Sequence, residues 1–247
     1  MAIGMNIDVL TLFPEIVQGF FENSIMKRAV KSNKISYNLI DFRNFATDKH
    51  HKCDDYPYGG GAGLVLKPQP LCDALESVGA KKKRVIFASP SGKKLTQSLS
   101  EELSKEENLV FICGHYEGID QRVIDLYVDD EISIGDYVIS SGEVSSLVII
   151  DSVYRLINGV ISSESLEDES FSDGLLEYPQ YTRPEIYEDM SVPKVLLQGN
   201  HKEIKNWRLE KRLDKTLSNR PDLLEEKSLD LESQKTLQKI LKAAKRT

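Results

Sequence analysis

Residues 84–113, RVIFASPSGKKLTQSLSEELSKEENLVFIC, decide the fold class. An apolar run from Arg84 to Ala88 breaks at a Ser, Pro and Gly loop, helical periodicity follows, and a second apolar run covers Leu109 to Cys113. Two short β-rich runs separated by a helical pattern mark a βαβ unit in a parallel sheet. The same alternation extends outward in both directions. Ile7 to Phe13 is the first strand, and Pro14 opens a helix that continues through Phe20 and Phe21. Ile35 to Phe42 alternates as the second strand, and Glu131 to Ile134 is a short run near the other end. The last helix of the region covers Glu143 to Ile157, since Leu147, Ile150, Val153, Tyr154 and Ile157 recur at spacings of three and four.

Beyond this α/β region, Ile161 to Ser172 reads ISSESLEDESFS, rich in Ser and acid and poor in aliphatics, which predicts a mobile linker. The expected division is an α/β domain over 1–160, a flexible acidic linker over 161–174, and a small helical domain over 175–247. Helical spacing in the last part runs through Ile204, Trp207, Leu209, Leu213 and Leu217, with a fresh start at Pro221. A final helix, Leu229 to Ala244, presents Lys235, Lys239 and Lys242 beside a Leu and Ile face, with Lys245 just beyond it. No internal repeat occurs.

The chain has 247 residues, 29% charged and 40% hydrophobic, enough to bury one or two cores and unlike disordered, collagenous or disulfide-scaffold compositions. Cys53, Cys72 and Cys113 are odd in number and form no C-x-x-C pair, which fits a reducing cytoplasm. The N-terminus has no basic leader, and no apolar run approaches the roughly 20 residues of a membrane span. The net charge of -7 is uneven: residues 201–247 hold 13 Lys/Arg against 8 Asp/Glu, whereas residues 1–200 hold 19 against 31. The basic end could meet a polyanion through phosphate contacts; the plain alternative is a solvated helical surface.

Three loops at strand ends stand out: ASPSGKKLT (Ala88 to Thr96), CGHYEGID (Cys113 to Asp120) and SIGDYVISSGE (Ser133 to Glu143). In an open α/β sheet such loops lie where ligands bind, and their glycines let backbone groups approach a ligand closely. Neither G-x-x-x-x-G-K-[ST] nor G-x-G-x-x-G after the first strand is present, so the usual phosphate cradles are missing and a ligand without phosphates fits better. Lys93 and Lys94 read as part of a solvated turn. A fourth loop, Tyr58-Gly-Gly-Gly-Ala-Gly63, either bends around something flat and bulky or serves as a hinge. His50, His51, Asp54 and Asp55 precede it, a poor signal for a divalent ion because adjacent histidines do not easily face one metal.

Read together, LFPE (Leu12 to Glu15), RNF (Arg43 to Phe45), DKHHKCDDYPYGGGAG (Asp48 to Gly63), CGHYEGIDQR (Cys113 to Arg122), SIGDYVISSGE, SFSDGLLEYPQYTRP (Ser170 to Pro184) and the GNH and WR pairs after Gly199 closely resemble the bacterial tRNA (guanine-N1)-methyltransferase family. The resemblance spans nearly the whole chain. It implies a SPOUT-type α/β fold with a mostly parallel sheet tied in a deep trefoil knot, plus a small all-helical C-terminal domain. It also implies a homodimer whose active site lies at the subunit interface. The implied cofactor is S-adenosylmethionine, held by Ser89 and Pro90, by Gly114, Tyr116, Glu117 and Gly118, and by Ile134, Gly135, Tyr137, Val138 and Gly142. The implied substrate is tRNA, with no DNA or membrane partner, in the cytoplasm.

The implied reaction is methyl transfer to N1 of the guanosine at position 37. Guanine N1 is protonated at neutral pH, so the reaction needs a base at that proton and a donor for charge developing on O6. The family motif assigns these roles to Asp173 and Arg155. Without the resemblance, Asp173 is one more acid of a linker and Arg155 a surface helix residue. By charge and spacing, Lys202, Lys205, Arg208, Lys211, Arg212 and Lys215 are expected at RNA phosphates. Gly59, Gly60 and Gly61 are expected beside the extruded base. Trp207 follows the apolar periodicity and is expected in the core rather than stacked on a base. The family also suggests Mg²⁺, with no ligands assigned. Two alternatives stay open: a SPOUT methyltransferase acting on another RNA nucleotide and, in a different class, a non-catalytic tRNA-binding protein.

The chain departs from the family pattern at three places: Ser140-Ser141-Gly142-Glu143 replaces T-G-G-E, Ala62 stands for Pro, and Gln180 for His. If position 141 requires positive φ, Ser141 costs strain and cofactor affinity; otherwise the change is neutral.

Overall fold

In a computed structural model the described residues are 4–162, 169–226 and 229–244, and they fall into two compact units, Met1–Ile161 and Ser162–Thr247. The first unit follows the strand–helix alternation: β1 (Met5–Thr11), α1 (Pro14–Phe21), α2 (Ser24–Lys31), β2 (Ile35–Asp41), the short strands β3 (Asp54–Asp55) and β4 (Val65–Leu66), and α3 (Pro68–Ser77). It continues with β5 (Arg84–Lys94), α4 (Gln97–Leu103), β6 (Asn108–Ile112), α5 (Gln121–Tyr127), β7 (Asp130–Ser133) and α6 (Gly142–Tyr154). The main sheet has the order β2-β1-β6-β5-β7, and every pairing in it is parallel. This is the expected α/β architecture with a parallel sheet.

Both sheet faces are covered, so its strands are apolar on both sides. Ile7, Val9, Ile86, Ala88, Leu109, Phe111 and Cys113 face one core with Val17 and Phe21 of α1, Leu103 of α4 and Ile149, Ile150 and Val153 of α6. Leu10, Val85, Phe87, Val110 and Ile112, one residue out of phase, face a second core with Leu71, Ala74 and Leu75 of α3 and Val123 of α5. The period of two assigns each strand residue to one side.

The largest difference from the expected elements is in β5, which runs to Lys94 rather than stopping at Ala88. Ala88 and Lys93 both pair with Ile132 of β7, so residues 89–92 leave the ladder and the chain then rejoins it. A Cβ on Gly92 would stand 2.4 Å from the Glu131 carbonyl carbon, so the returning chain passes directly over β7. Because β5 lies between β6 and β7, the three glycine-bearing loops emerge at one sheet edge, the carboxyl end.

The second unit holds a two-stranded antiparallel pair, β8 (Ile186–Tyr187) and β9 (Met190–Ser191), then α7 (Lys194–Leu197), α8 (His201–Asn219), α9 (Asp222–Glu226) and α10 (Leu231–Ala244). The small hairpin departs from the expected all-helical composition. Asn200 caps α8, its side chain accepting from the Glu203 N–H at 3.3 Å. Leu213 of α8 is buried, as are Leu175 and Tyr178 of the preceding segment. Part of the expected linker, residues 163–168, lies outside the described residues, as does Lys245. Among the described residues no helix is long and apolar enough to cross a membrane.

Candidate active site

A cavity of about 440 Å³ opens at the carboxyl ends of β5, β6 and β7, and all eleven residues expected at the cofactor line it. Ser89 and Pro90 come from the excursion of β5, Gly114 to Gly118 from the loop after β6, and Ile134 to Gly142 from the loop before α6. Its size is within the range of small-ligand sites.

Backbone contact sets the cavity floor. The Gly142 N–H donates to the Gly114 carbonyl at 3.0 Å, and a Cβ on Gly142 would lie 2.3 Å from the Gly114 nitrogen. Only glycine lets the start of α6 sit this close to the β6 loop. The third loop turns on itself nearby, with the Tyr137 ring covering Gly135 and the Tyr137 N–H donating to the Gly135 carbonyl at 2.9 Å.

Behind the floor is a carboxylate that sequence reasoning left without a role. Glu143, in the first turn of α6, is fully buried. Thr11 at the end of β1 donates its hydroxyl to Glu143 Oε1 at 2.5 Å, and His115 Nε2 and Ser141 Oγ both lie 2.7 Å from Oε2. All three partners can donate to it. One side chain thus ties β1, the β6 loop and the α6 loop together. The sequence signal was an acid directly after Gly142, in the first turn of a helix whose Leu147, Ile150 and Val153 mark it for the core.

Ser141 has φ -141°, extended backbone open to any residue, so the strain considered for this position is absent. Its hydroxyl instead adds a donor to Glu143. Burial, with Glu143 adding to it, pushes the Cys113 thiol well up, and Cys113 lies 3.5 Å from the Ser146 hydroxyl.

The charged side chains on the cavity wall are the carboxylates of Glu117 and Glu131, with His115 beside them and no Lys or Arg among the lining residues. A polyphosphate would meet two like charges, whereas a cationic ligand meets opposite ones. Lys93 and Lys94 do not sit on a free turn: at the end of β5 they pair with Asp130 at 2.5 Å and Asp136 at 2.7 Å. The sulfonium and ammonium of S-adenosylmethionine suit this wall.

Gly59, Gly60 and Gly61 form an exposed loop with φ of 86°, 79° and 131°. It is anchored to the cavity through Gly63, where a Cβ would meet Glu117 Oε1 at 2.4 Å, and through the Glu117 N–H, which donates to the Leu64 carbonyl at 3.0 Å. The glycine loop and the β6 loop are therefore neighbours. Burial, then a hydrogen bond to Asp54 of β3, pushes the Tyr116 phenol up. No group of three or more His, Cys, Asp and Glu among the described residues could hold a metal ion, so the Mg²⁺ expectation finds no ligand set there.

The two expected catalytic residues belong to different units. Arg155 is half-buried and caps the C-terminus of α6 in the first. Asp173 is exposed in the second, where its carboxylate is forked by Arg212 of α8. Of the expected phosphate contacts, Lys202 and Lys205 are exposed and Lys211 and Lys215 half-buried. Arg208 lies over the Tyr178 ring at 4.4 Å, and Arg212 turns inward to Asp173 rather than outward. Trp207 is half-buried, with its ring 6.2 Å from that of Tyr181.

Residues 5–226 match the family model described as tRNA (Guanine-1)-methyltransferase TrmD. A Treponema denticola protein named tRNA (guanine-N(1)-)-methyltransferase is 64% identical over 221 residues, covering 90% of this chain and 91% of its own. Proteins of the same name from Borrelia duttonii and Treponema pallidum are 63% and 56% identical, over 89% of this chain and 92% and 88% of theirs. With the parallel sheet, the cavity without Lys or Arg at its carboxyl edge and these matches over most of its length, the chain belongs to the tRNA (guanine-N1)-methyltransferase family of SPOUT-type transferases.

Proposed function

We propose that this protein transfers a methyl group from S-adenosylmethionine to N1 of guanosine 37 in tRNA, with Asp173 as general base and Arg155 as the cation at O6. The observation that carries the proposal is the gathering of all eleven expected cofactor residues around one cavity whose wall bears Glu117 and Glu131 and no Lys or Arg. Bound there, S-adenosylmethionine supplies an electrophilic methyl whose C–S bond breaks with the electron pair going to sulfur. Glu117 and Glu131 attract its positive charge, and the backbone of the Gly114 and Gly142 loops leaves room for a flat base. Asp173 takes the proton from guanine N1 as the new N–C bond forms, and the Arg155 guanidinium offsets negative charge on O6. Gly59 to Gly61 offer the extruded guanine a surface without side chains, and Lys202, Lys205 and Lys211 offer phosphate contacts.

The same proposal includes the trefoil knot, supported by the return of β5 across β7 and by the contact of Gly142 on Gly114. It also includes a homodimer with a shared site. Ile16 of α1 and Val144 and Val148 of α6, 44%, 48% and 44% exposed on two helices that pack together, supply an apolar face suited to a second copy. The first unit would hold the cofactor, residues 161–174 would carry the base, and 175–247 would hold the tRNA. A tRNA substrate and three free cysteines suit the cytoplasm.

The test is transfer of labelled methyl to an unmodified tRNA transcript with guanosine 37, beside a transcript changed at that base and beside Asp173→Asn protein. Label is expected only with the intact base and intact Asp173. Label on the altered transcript, or an undiminished rate in Asp173→Asn, overturns the proposal.

A further inference from the structure

The segment that carries Asp173 is held on α8 by side chains one helical turn apart. Arg212 Nη1 donates to Asp173 Oδ2 at 2.9 Å, and Nη2 donates to Oδ1. Arg212 Nε donates to the Leu176 carbonyl at 3.2 Å. Thr216, four residues on and fully buried, accepts from the Leu176 N–H at 3.0 Å. Both backbone polar groups of Leu176 are thus taken by α8. Within the segment, the Leu175 N–H donates to Asp173 Oδ1 at 3.2 Å, the Phe171 N–H to the Leu175 carbonyl at 2.9 Å, and the Glu177 N–H to Ser170 Oγ at 3.0 Å. Leu175 is itself only 2% exposed, so the turn is anchored by burial as well.

We propose that Arg212 is a positioning residue for methyl transfer: its fork on Asp173 fixes the rotamer and direction of the base carboxylate, while its third bond fixes the backbone that carries it. The proposal rests on Asp173 being the base. Exposed ion pairs contribute little, but this one differs. The guanidinium side chain is only 12% exposed, the Asp173 side chain 47%. The fork is bidentate, and a third donor is spent on the same segment, so charge and planar geometry act together. An arginine used for RNA phosphates would aim its fork at solvent. Here the fork closes on the carboxylate of its own segment, and the Asp173 side chain keeps 47% of its surface exposed.

A base displaced by about 1 Å loses roughly 10²-fold in rate. The experiment measures single-turnover methyl transfer to the guanosine-37 transcript at saturating tRNA, with tRNA and S-adenosylmethionine affinities measured separately. The proteins are full-length wild type, Asp173→Asn, Arg212→Met and Arg212→Lys. The expected result is an inactive Asp173→Asn, an Arg212→Met slowed about 10²-fold with both affinities within about threefold of wild type, and an Arg212→Lys that recovers about tenfold of the loss. An unchanged Arg212→Met rate, or a loss confined to tRNA affinity, overturns the proposal and makes Arg212 a phosphate contact. A faster Arg212→Met also overturns it, since the fork would then be a latch. If Arg212→Met does not fold, Arg212→Lys, which keeps the stem and the charge, decides: a wild-type rate there overturns the proposal. An active Asp173→Asn removes the base assignment itself, an outcome separate from all of these.

Discussion

In the cavity, position comes from backbone pressed on backbone: Gly142 against Gly114, Gly92 against Glu131, and one buried carboxylate, Glu143, pulling three chain segments together from behind. In the 170–177 segment, position comes from side chains reaching in from a helix: Arg212 on Asp173 and Leu176, Thr216 on Leu176. The two regions should fail differently. A floor made of main chain tolerates no added atom but is indifferent to chemistry outside the contact. A segment held by side chains tolerates volume and responds to a change of donor. The first suits a cavity that must keep its shape through every turnover, the second a base that must be aimed.

The largest effect that would test this contrast is in Gly142→Ala. The new methyl would stand 2.3 Å and 2.6 Å from the Gly114 nitrogen and oxygen, backbone atoms that cannot turn aside. A loss on the order of 3–5 kcal/mol is expected in urea unfolding, with S-adenosylmethionine binding abolished in calorimetric titration. Binding within threefold of wild type would mean that the floor yields, and the contrast with the Arg212 variants, which should keep that affinity, would disappear.

Glu143→Gln keeps the shape but turns charge-assisted bonds to Thr11, His115 and Ser141 into neutral ones and aims an amide N–H₂ toward a hydroxyl. About 2 kcal/mol should be lost from the unfolding free energy, with weaker cofactor binding accompanying it. Full stability with weakened binding would restrict Glu143 to the ligand.

The smallest effect is expected at Ser141→Gly, which restores the glycine common in the family. With φ already at -141° there is no strain to relieve, so the variant should lose about 1 kcal/mol for one bond to Glu143 and leave cofactor affinity within twofold. A gain in affinity on titration would show that the serine obstructs the site.

Much of this was legible in residue order. The strand runs around residues 7, 35, 84, 109 and 131 lie within the observed β1, β2, β5, β6 and β7 apart from one or two terminal residues, because the apolar runs of the inner strands and the alternation of β2 are set by local burial whatever the neighbours. The second half of β5 was not legible. Ser-Pro-Ser-Gly reads as an exit from the sheet, and nothing local says that Lys93 returns to the same Ile132 that Ala88 has already met. Nothing local to its motif gives Glu143 a role, since its donors lie as far away as Thr11, 132 residues earlier in the chain. Arg212 looked like its cationic neighbours on α8, because helical spacing gives a side chain's face but not whether a carboxylate waits there.

The sequence by itself therefore determined the elements, the parallel α/β class and the glycines that make a cavity possible, all of which depend on local periodicity and on the steric range of single residues. The tertiary structure decided which strands are neighbours, that three distant loops share one cavity with no cation on its wall, and that Arg212 faces Asp173. Those outcomes depend on contacts between residues tens to more than a hundred positions apart, where hydrogen bonds and burial are settled only once the sheet order and the helix faces are in place.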